Sequence, residues 1–441
     1  MALFGTDGVR GVAGVDLTEK LAHDLAVAAA HVLTDIGEFA GHKPRAIIAQ
    51  DSRESGAYLE RAIAEGLSSC GIDVELIGVL PTPAVSFLVL DSKADLGVMI
   101  SASHNPASDN GIKFFARDGK KLADSVEAQI EAQLKVEWQP GVAAGKIERV
   151  DSARERYLGH LLSTIDCDFR GLKIVVDCAN GAASTVAPEA LRRAGAEVIA
   201  INNQPNGKNI NANCGSTHLE GLIERVKNEK ADLGIAHDGD ADRVLAIDHL
   251  GNIVDGDYIL GILAQHTELP TKVIVGTVMT NLGLIRALEK LGIGFVATPV
   301  GDRYVLEEML KSGHSLGGEQ SGHIIMRKFS ITGDGLLTAL HLISEVIRRK
   351  STLNDLASFM SRYPQVLINV KDVDKNLLST NDNIRIKISE IEKSLGNSGR
   401  VLLRASGTEP VIRVMVEAAE QKSADEFAQS LAALVKSELS I

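Results

Sequence analysis

The sequence predicts an α/β protein: three related α/β domains with mixed, mostly parallel sheets, followed by a C-terminal α+β domain. Strand-like and helix-like segments alternate through the first 365 residues, one strand–helix–strand pattern recurs three times, and the pattern changes after residue 365. At 441 residues the chain is too long for one hydrophobic core. We place the domains at residues 1–155, 156–256, 257–365 and 366–441.

Each of the three related units opens with an apolar strand and a polar or glycine-rich loop, at residues 46–53, 173–181 and 272–277. A helical pattern, a second strand and a proline-containing loop follow. A closing strand then ends at Ser103, at Asp238 and at residues 318–323, roughly 45 to 60 residues after the opening strand. Ligands of open α/β sheets collect beyond the carboxyl ends of the strands, so we expect these closing loops to share a site.

The last domain has a different pattern. A strand is predicted at residues 366–370, a helix at 384–395, a hairpin from 400–404 and 412–417, and a terminal helix at 424–439.

Composition excludes several classes of function. Lys and Arg number 46 against 58 Asp and Glu, a formal charge of −12, and aromatic residues make up 4%. A broad basic face with stacking platforms for nucleic acid is therefore not expected. The start of the chain has no targeting pattern, and no segment approaches the roughly 20 apolar residues of a membrane span. Four cysteines without CxxC spacing are typical of reduced thiols, so we expect a cytoplasmic protein without a membrane partner.

The segment 101–106 places hydroxyls, an imidazole and a proline directly after the apolar strand 96–100. The Ser103 hydroxyl is a candidate nucleophile there, although Ser and Asn before Pro are also ordinary turn formers. His104 could position or protonate a group, or it could only cap a helix.

Asp238, Asp240 and Asp242 alternate along the chain, so a looped backbone can turn all three carboxylates toward one point. Such a cluster calls for a cation, and oxygen ligands favour Mg²⁺. An EF-hand loop does not fit, because its sixth position would be Arg243 and its twelfth His249. Ser103, or a phosphate on it, could supply a further metal ligand; a solvated acidic turn without metal is the alternative.

Several other side chains complete a set suited to phosphoryl transfer. An Asn110–Gly111 turn is predicted to start a strand that carries Lys113 away from the Ser103 loop. Glu319, Ser321 and His323 alternate along a glycine-flanked loop and could bind the hydroxyls of a polyol. His323 is also a candidate proton shuttle. Further cationic, hydroxyl and backbone N–H groups could bind phosphate or offset its charge, namely those of Arg10, Arg243, Arg404, Ser406, Gly407, Thr408 and Arg413.

With these residues in order, the chain resembles the α-D-phosphohexomutase superfamily. The resemblance covers essentially the whole length and rests on four motifs, at residues 101–106, 238–243, 318–323 and 404–410. The residue sequences of the stretch 4–11 and of the last two motifs are most similar to those of members that act on glucosamine phosphates.

The resemblance implies four domains around a central cleft, a phosphorylated Ser103 and one Mg²⁺ held by its phosphate and the three aspartates. It implies that glucosamine 6-phosphate and glucosamine 1-phosphate are interconverted through a 1,6-bisphosphate, feeding UDP-N-acetylglucosamine and cell-wall synthesis, with a bisphosphorylated sugar as activator. Lys113 and His323 would be acid/base groups, and Arg10 and Arg243 would neutralise charge. Because one phosphate-binding loop would serve both orientations of the intermediate, we expect the last domain to open and close.

The expected partner is a small-molecule sugar phosphate, and a homodimer is left open. Glucose or mannose phosphate as substrate, a metal-dependent sugar phosphatase and a non-catalytic sugar-phosphate sensor remain alternatives.

Overall fold

The computed structural model describes residues 3–5, 7–136, 143–266, 268–405 and 411–441. Its strands form four sheets, one in each successive part of the chain. The first sheet has the order β1-β2-β6-β5-β3-β4-β7, with parallel pairing from β5 to β7 and antiparallel pairing from β1 to β5. Its strands are β1 (Phe4–Gly5), β2 (Gly8–Val12), β3 (Arg45–Gln50), β4 (Asp73–Val79), β5 (Leu96–Ile100), β6 (Asp109–Ala116) and β7 (Ile147–Arg149). The accompanying helices are α1 (Glu19–Asp35), α2 (Gly56–Ser69), α3 (Thr82–Ser92) and α4 (Asp124–Gln133).

The second sheet has the order β12-β11-β10-β8-β9 and is parallel only between β10, β8 and β9. Its strands are β8 (Lys173–Asp177), β9 (Glu197–Ile201), β10 (Leu233–His237), β11 (Val244–Asp248) and β12 (Ile253–Val254). The helices of this part are α5 (Ala153–Ser163), α6 (Ala183–Arg193) and α7 (Glu220–Glu229).

The third sheet has the order β14-β13-β15-β16, with only the β15–β16 pair antiparallel. Its strands are β13 (Val273–Thr277), β14 (Gly294–Thr298), β15 (Leu316–Gly318) and β16 (Ile324–Met326). The helices are α8 (Gly256–His266), α9 (Leu282–Leu291), α10 (Asp302–Ser312), α11 (Gly335–Arg349) and α12 (Leu353–Ala357).

The three sheets share one core arrangement, which confirms the repeat. In each, the opening strand lies between the second strand and the closing strand, and an antiparallel strand follows the closing strand: β4-β3-β5-β6, β9-β8-β10-β11 and β14-β13-β15-β16. All five residues of β5 and of β10 are buried, as expected for strands covered on both faces.

The fourth sheet is antiparallel throughout, with the order β17-β19-β18. Its elements are β17 (Gln365–Lys371), α13 (Asp382–Leu395), β18 (Gly399–Ala405), β19 (Val411–Ala418) and α14 (Gln421–Leu439). The buried face of α14 includes Leu431 and Val435. Of the helices in the described ranges, none is both long and apolar enough to cross a bilayer.

The hydrophobic cores distinguish the last domain from the rest. One apolar cluster runs through all three α/β units, joining residues such as Met99, Val176 and Leu340. The last domain has its own cluster, which includes Ile412 and Leu431. The first three units are therefore packed into one another, whereas the fourth buries its apolar face by itself.

The predicted Asn110–Gly111 turn is wrong. Both residues lie inside β6 and pair with β2, and residues 101–108 connect β5 to β6. A Cβ on Gly111 would lie 2.5 Å from the Ser101 carbonyl oxygen, so this glycine permits close backbone approach rather than a turn. Lys113 nevertheless lies on β6, opposite Met99 of β5.

Candidate active site

Three loops meet at the carboxyl ends of the closing strands. We call them the serine loop (residues 101–108, after β5), the aspartate loop (residues 238–243, after β10) and the glutamate loop (residues 319–323, after β15). The Ser103 hydroxyl bonds across to the aspartate loop, and the Val244 N–H donates to the Gly322 carbonyl at 3.1 Å. The repeat thus brings equivalent loops of three units together.

Ser103 is buried and strained at the centre of this group. Its Oγ donates to Oδ2 of Asp238 at 2.7 Å and lies 3.3 Å from Nδ1 of His104. Its φ is +53°, a left-handed value that non-glycine residues adopt at a cost and that is often found at functional sites. The surrounding contacts must therefore hold the hydroxyl in place.

The three aspartates of the aspartate loop are almost completely buried, at 0–4% exposure, and one oxygen or more of each lies within 4.8 Å of the others. Burial and repulsion from Asp242 and Asp240 raise the pKa of Asp238 well above its usual range. Burial would also raise the pKa of Asp242, but its contact with His323 and the charges of Lys113 and Arg243 hold that pKa well below the usual range.

Within the described ranges, two oxygens of this cluster are buried without a hydrogen-bond partner, Oδ1 of Asp240 and Oδ1 of Asp242. The other oxygen of Asp240 accepts from the Thr82 hydroxyl at 2.5 Å and from Lys113 at 2.9 Å. Unpaired buried carboxylate oxygens are costly, and a hard divalent cation would satisfy them. The residues present therefore fit Mg²⁺.

The backbone of the aspartate loop is held by the first turns of three helices, one from each α/β unit. Each helix start donates one N–H to a carbonyl of the loop, and Ala241 in the loop has a φ of +55°. The bonds run from Ala182 to Gly239 at 2.8 Å, from Thr82 to Asp240 at 3.0 Å and from Gly335 to Ala241 at 3.1 Å. Helix N-termini carry partial positive charge, which favours the carboxylates gathered here.

Lys113 supplies a buried positive charge beside the aspartates. Its Nζ lies 2.9 Å from Oδ2 of Asp240 and 2.9 Å from Oδ2 of Asp7. Burial lowers the pKa of Lys113, but the two carboxylates more than compensate, so its pKa is raised and the amine stays protonated at neutral pH. Arg10 also pairs with Asp7, so Arg10 and Lys113 lie together at one edge of the site.

His104 and Arg243 lie against each other above Ser103. Nη1 of Arg243 is 3.3 Å from Nδ1 of His104, and Nε of Arg243 is 3.8 Å from Asp242. Burial and the charges of Arg243 and Arg10 lower the pKa of His104, so the imidazole is neutral at pH 7. No helix occurs within the serine loop, which is described throughout, so the helix-capping alternative for His104 is wrong.

The glutamate loop brings His323 to the aspartates. Its Nδ1 is 3.4 Å from Asp242, and its Nε2 accepts the Gly333 N–H at 3.0 Å. Glu319 accepts the Gly301 N–H at 3.1 Å. Oγ of Ser321 is buried without a hydrogen-bond partner among the described residues.

The last domain contributes two arginines at a separate position. Arg404 of β18 lies directly opposite Arg413 of β19, and the two line a cavity of about 90 Å³ with Met279 and Val300 of the third unit. Burial and the charge of Arg413 lower the pKa of Arg404. Two adjacent guanidinium groups favour an anion between them. The predicted residues Ser406, Gly407 and Thr408 lie outside the described ranges.

The sequence reasoning missed a charged network that joins the first and third units. Lys121 pairs with Asp7 and, at 2.7 Å, with Asp302, whose Oδ2 is 3.6 Å from Nε2 of His323. Asp7 lies between β1 and β2, and Asp302 is the first residue of α10. Nothing in the sequence indicated that Lys121 would lie between them.

The comparisons with known proteins agree over the whole chain. Four family models match in order: phosphoglucomutase/phosphomannomutase alpha/beta/alpha domains I, II and III at residues 1–139, 155–251 and 255–363, and the C-terminal domain at 367–434. A relative from Thermobifida fusca, named phosphoglucosamine mutase, is 54% identical over 445 residues, covering 100% of this chain and 99% of the relative.

Solved structures show the same fold. A phosphoglucomutase/phosphomannomutase family protein from Burkholderia thailandensis superposes with a TM-score of 0.83 at 22% identity, covering 100% of this chain and 99% of that one. An N-acetylphosphoglucosamine mutase from Aspergillus fumigatus, solved with GlcNAc-6P and magnesium, gives 0.71 at 18% identity, covering 99% and 95%. The chain therefore belongs to the phosphoglucomutase/phosphomannomutase family, the α-D-phosphohexomutases.

Proposed function

We propose that this chain interconverts glucosamine 6-phosphate and glucosamine 1-phosphate through a phosphorylated Ser103 and a 1,6-bisphosphate intermediate. The observation that carries the proposal is the position of the Ser103 hydroxyl, 2.7 Å from Asp238 within a cluster of three buried carboxylates. The name of the Thermobifida fusca relative supports the amino sugar as substrate.

The reaction consists of two phosphoryl transfers. In the first, the 1-hydroxyl of glucosamine 6-phosphate forms a bond to the phosphorus on Ser103, the P–Oγ bond breaks, and the hydroxyl proton leaves. After the bisphosphate has turned end for end, Oγ of Ser103 attacks the phosphorus at the 6-position. The P–O6 bond then breaks, O6 takes up a proton, and glucosamine 1-phosphate remains.

The roles of the surrounding residues follow from where they lie. Lys113 and His323 flank the carboxylates and are the candidate groups for proton transfer. Arg10 and Arg243 offset phosphate charge. Sugar hydroxyls and the non-reacting phosphate need further partners, for which we propose Glu319, Ser321, Arg404, Ser406, Gly407, Thr408 and Arg413.

We propose that Asp238, Asp240 and Asp242, with an oxygen carried on Ser103, hold one Mg²⁺. When bound, the ion would neutralise charge that develops on the transferred phosphoryl group. The unpaired oxygens of Asp240 and Asp242 support this proposal, as does the magnesium in the Aspergillus fumigatus structure. His104, neutral and 3.3 Å from Oγ, is proposed to orient the phosphoserine.

The same proposal includes four further expectations. They are the domain boundaries given above, a bisphosphorylated sugar as activator, a homodimer, and a cytoplasmic location, which the four unpaired cysteines support.

An assay that compares three sugar phosphates as substrates tests the proposal. Purified protein is incubated with Mg²⁺, glucosamine 6-phosphate and a trace of glucose 1,6-bisphosphate, and both 1-phosphate and inorganic phosphate are followed. We expect 1-phosphate without inorganic phosphate, and no activity in Ser103→Ala. Release of inorganic phosphate at the turnover rate would instead indicate a phosphatase. Faster turnover of glucose or mannose 6-phosphate would contradict the amino sugar assignment.

A further inference from the structure

We propose that Arg53 is a positioning residue for phosphoryl transfer: together with Asn211 it holds the serine loop so that the Ser103 hydroxyl faces the aspartate loop. The inference rests on the proposed function. Arg53 follows the opening strand of the first unit and is 2% exposed, and its hydrogen bonds reach neither the aspartate cluster nor the Ser103 hydroxyl.

Every N–H of the Arg53 guanidinium has an acceptor. The group has five donors in a planar fork, and all five are used, one on a carboxylate and four on carbonyls around the serine loop. The acceptors are Asp51 Oδ2 at 2.9 Å, Ser103 O at 3.0 Å, Asn105 O at 2.9 Å, Asp109 O at 2.9 Å and Pro106 O.

The Asp51–Arg53 ion pair fixes both backbone groups of Ser103. Asp51 accepts the Ser101 hydroxyl at 2.6 Å, and that hydroxyl oxygen accepts the Ser103 N–H at 2.9 Å. The Ser103 carbonyl bonds directly to Arg53. With its N–H and its C=O both held by one buried pair, Ser103 can keep the left-handed φ of +53° that directs its side chain.

Asn211 holds the same loop from the second unit. Its amide Nδ2 donates to the Ser103 carbonyl at 2.9 Å and to the Asn105 carbonyl at 3.0 Å, so each of these oxygens accepts two hydrogen bonds. A Cβ on Gly239 would lie 2.4 Å from the Ser103 carbonyl oxygen, which places the serine loop directly on the aspartate loop. Arg53 and Asn211 together therefore set the distance between Oγ of Ser103 and the carboxylates of the aspartate loop.

This geometry requires arginine. Lysine has three donors on one nitrogen and cannot reach four carbonyls and a carboxylate from a single plane. A shift of about 1 Å in a reacting group can cost about 10²-fold in rate. We therefore expect Arg53→Lys and Asn211→Ala to lower kcat while KM for the sugar phosphate stays the same, because neither residue belongs to the proposed sugar contacts.

The test compares these two variants with Ser52→Ala. The Ser52 hydroxyl donates to the Asn180 carbonyl at 2.5 Å and so joins the same two units without a bond to the serine loop. Two readouts are measured with Mg²⁺ present: kcat and KM for glucosamine 6-phosphate, and the rate at which glucose 1,6-bisphosphate phosphorylates the dephosphorylated protein, followed by intact mass. Circular dichroism melting confirms that each variant is folded.

We expect kcat and the phosphorylation rate to fall by about 10²-fold in Arg53→Lys, with a smaller fall in Asn211→Ala and no change in Ser52→Ala. A folded Arg53→Lys with unchanged rates, or with raised KM and unchanged kcat, would overturn the proposal. If Arg53→Lys does not fold, Asn211→Ala decides by the same criteria. If the wild type accepts phosphate but does not isomerise glucosamine 6-phosphate, the proposed function fails, and the phosphorylation rates still answer the question about Arg53.

Discussion

Replacing Asp238 with asparagine should stabilise the protein without metal and destabilise it, relative to wild type, with Mg²⁺. One oxygen of each aspartate lies within 4.8 Å of one on the others, and two carboxylate charges 4.8 Å apart repel by about 3.5 kcal/mol at an effective dielectric near 20. Asp238 faces two such neighbours, and burial and that repulsion raise its pKa. Asparagine keeps an oxygen that can accept the Ser103 hydroxyl but carries no charge.

The expected gain is smaller than the summed repulsion. Proton uptake by Asp238 and the nearby Arg243 charge already relieve part of it, so we expect the variant in EDTA to be more stable by about 1–3 kcal/mol. Because folding raises the pKa of Asp238, this carboxyl stabilises the wild type less and less as pH rises above the pKa that it has in the unfolded chain. The advantage of the variant should therefore grow with pH.

Thermal melting in EDTA and in saturating Mg²⁺ measures both effects, with Na⁺ at equal ionic strength as the control for screening. A ligand at 1,000 times its Kd stabilises the folded state by about 4.1 kcal/mol, which exceeds the expected advantage of the variant in EDTA and which the variant should largely lose. The order of the two melting temperatures should therefore reverse between the conditions. A variant that melts below wild type in EDTA, or that gains as much from Mg²⁺, would refute the reasoning about this cluster.

Two further predictions concern the glutamate loop and the pH dependence of stability. In Gly322→Ala, a Cβ would lie 2.1 Å from the Val244 carbonyl oxygen and displace the loop, so KM for the sugar phosphate should rise in steady-state assays; Gly171→Ala, at the same φ of +91° but in open space, should not change it. Burial raises the pKa of Asp334 to about 6, so its contribution to stability is full below about pH 4 and lost as pH rises to about 6. Denaturant unfolding should then show wild type losing up to about 3 kcal/mol relative to Asp334→Asn across this window, and a constant difference would contradict the assignment.

The sequence was sufficient to predict the repeat and the meeting of the closing loops. Short apolar strands followed by polar loops predict parallel strands, and such strands present their carboxyl ends at one edge of a sheet. Ser103, Asp238 and His323 could therefore be assigned to one site before their distances were known. The alternation of the aspartates correctly predicted that their oxygens converge.

The supporting contacts could not be predicted, because they join segments far apart in the chain. Arg53 and Asn211 lie 50 and 108 residues from Ser103, and Lys121 lies 181 residues from Asp302. Local sequence patterns carry no information about such pairs. Asn110 and Gly111 show a different kind of error. An Asn–Gly pair is typical of turns, but in the structure both residues lie inside β6, where tertiary packing requires a glycine at position 111.

The most direct test of the central claim follows one phosphoryl group from Ser103 to the sugar. Protein carrying a radiolabelled phosphate on Ser103 is mixed with unlabelled glucosamine 6-phosphate and Mg²⁺ in a single turnover, and the label is traced among protein, bisphosphate, 1-phosphate and inorganic phosphate. The account predicts that label appears first in the bisphosphate and then in glucosamine 1-phosphate, while the protein stays phosphorylated by unlabelled phosphate. Label that remains on the protein while the sugar isomerises, or that is released as inorganic phosphate, would contradict it.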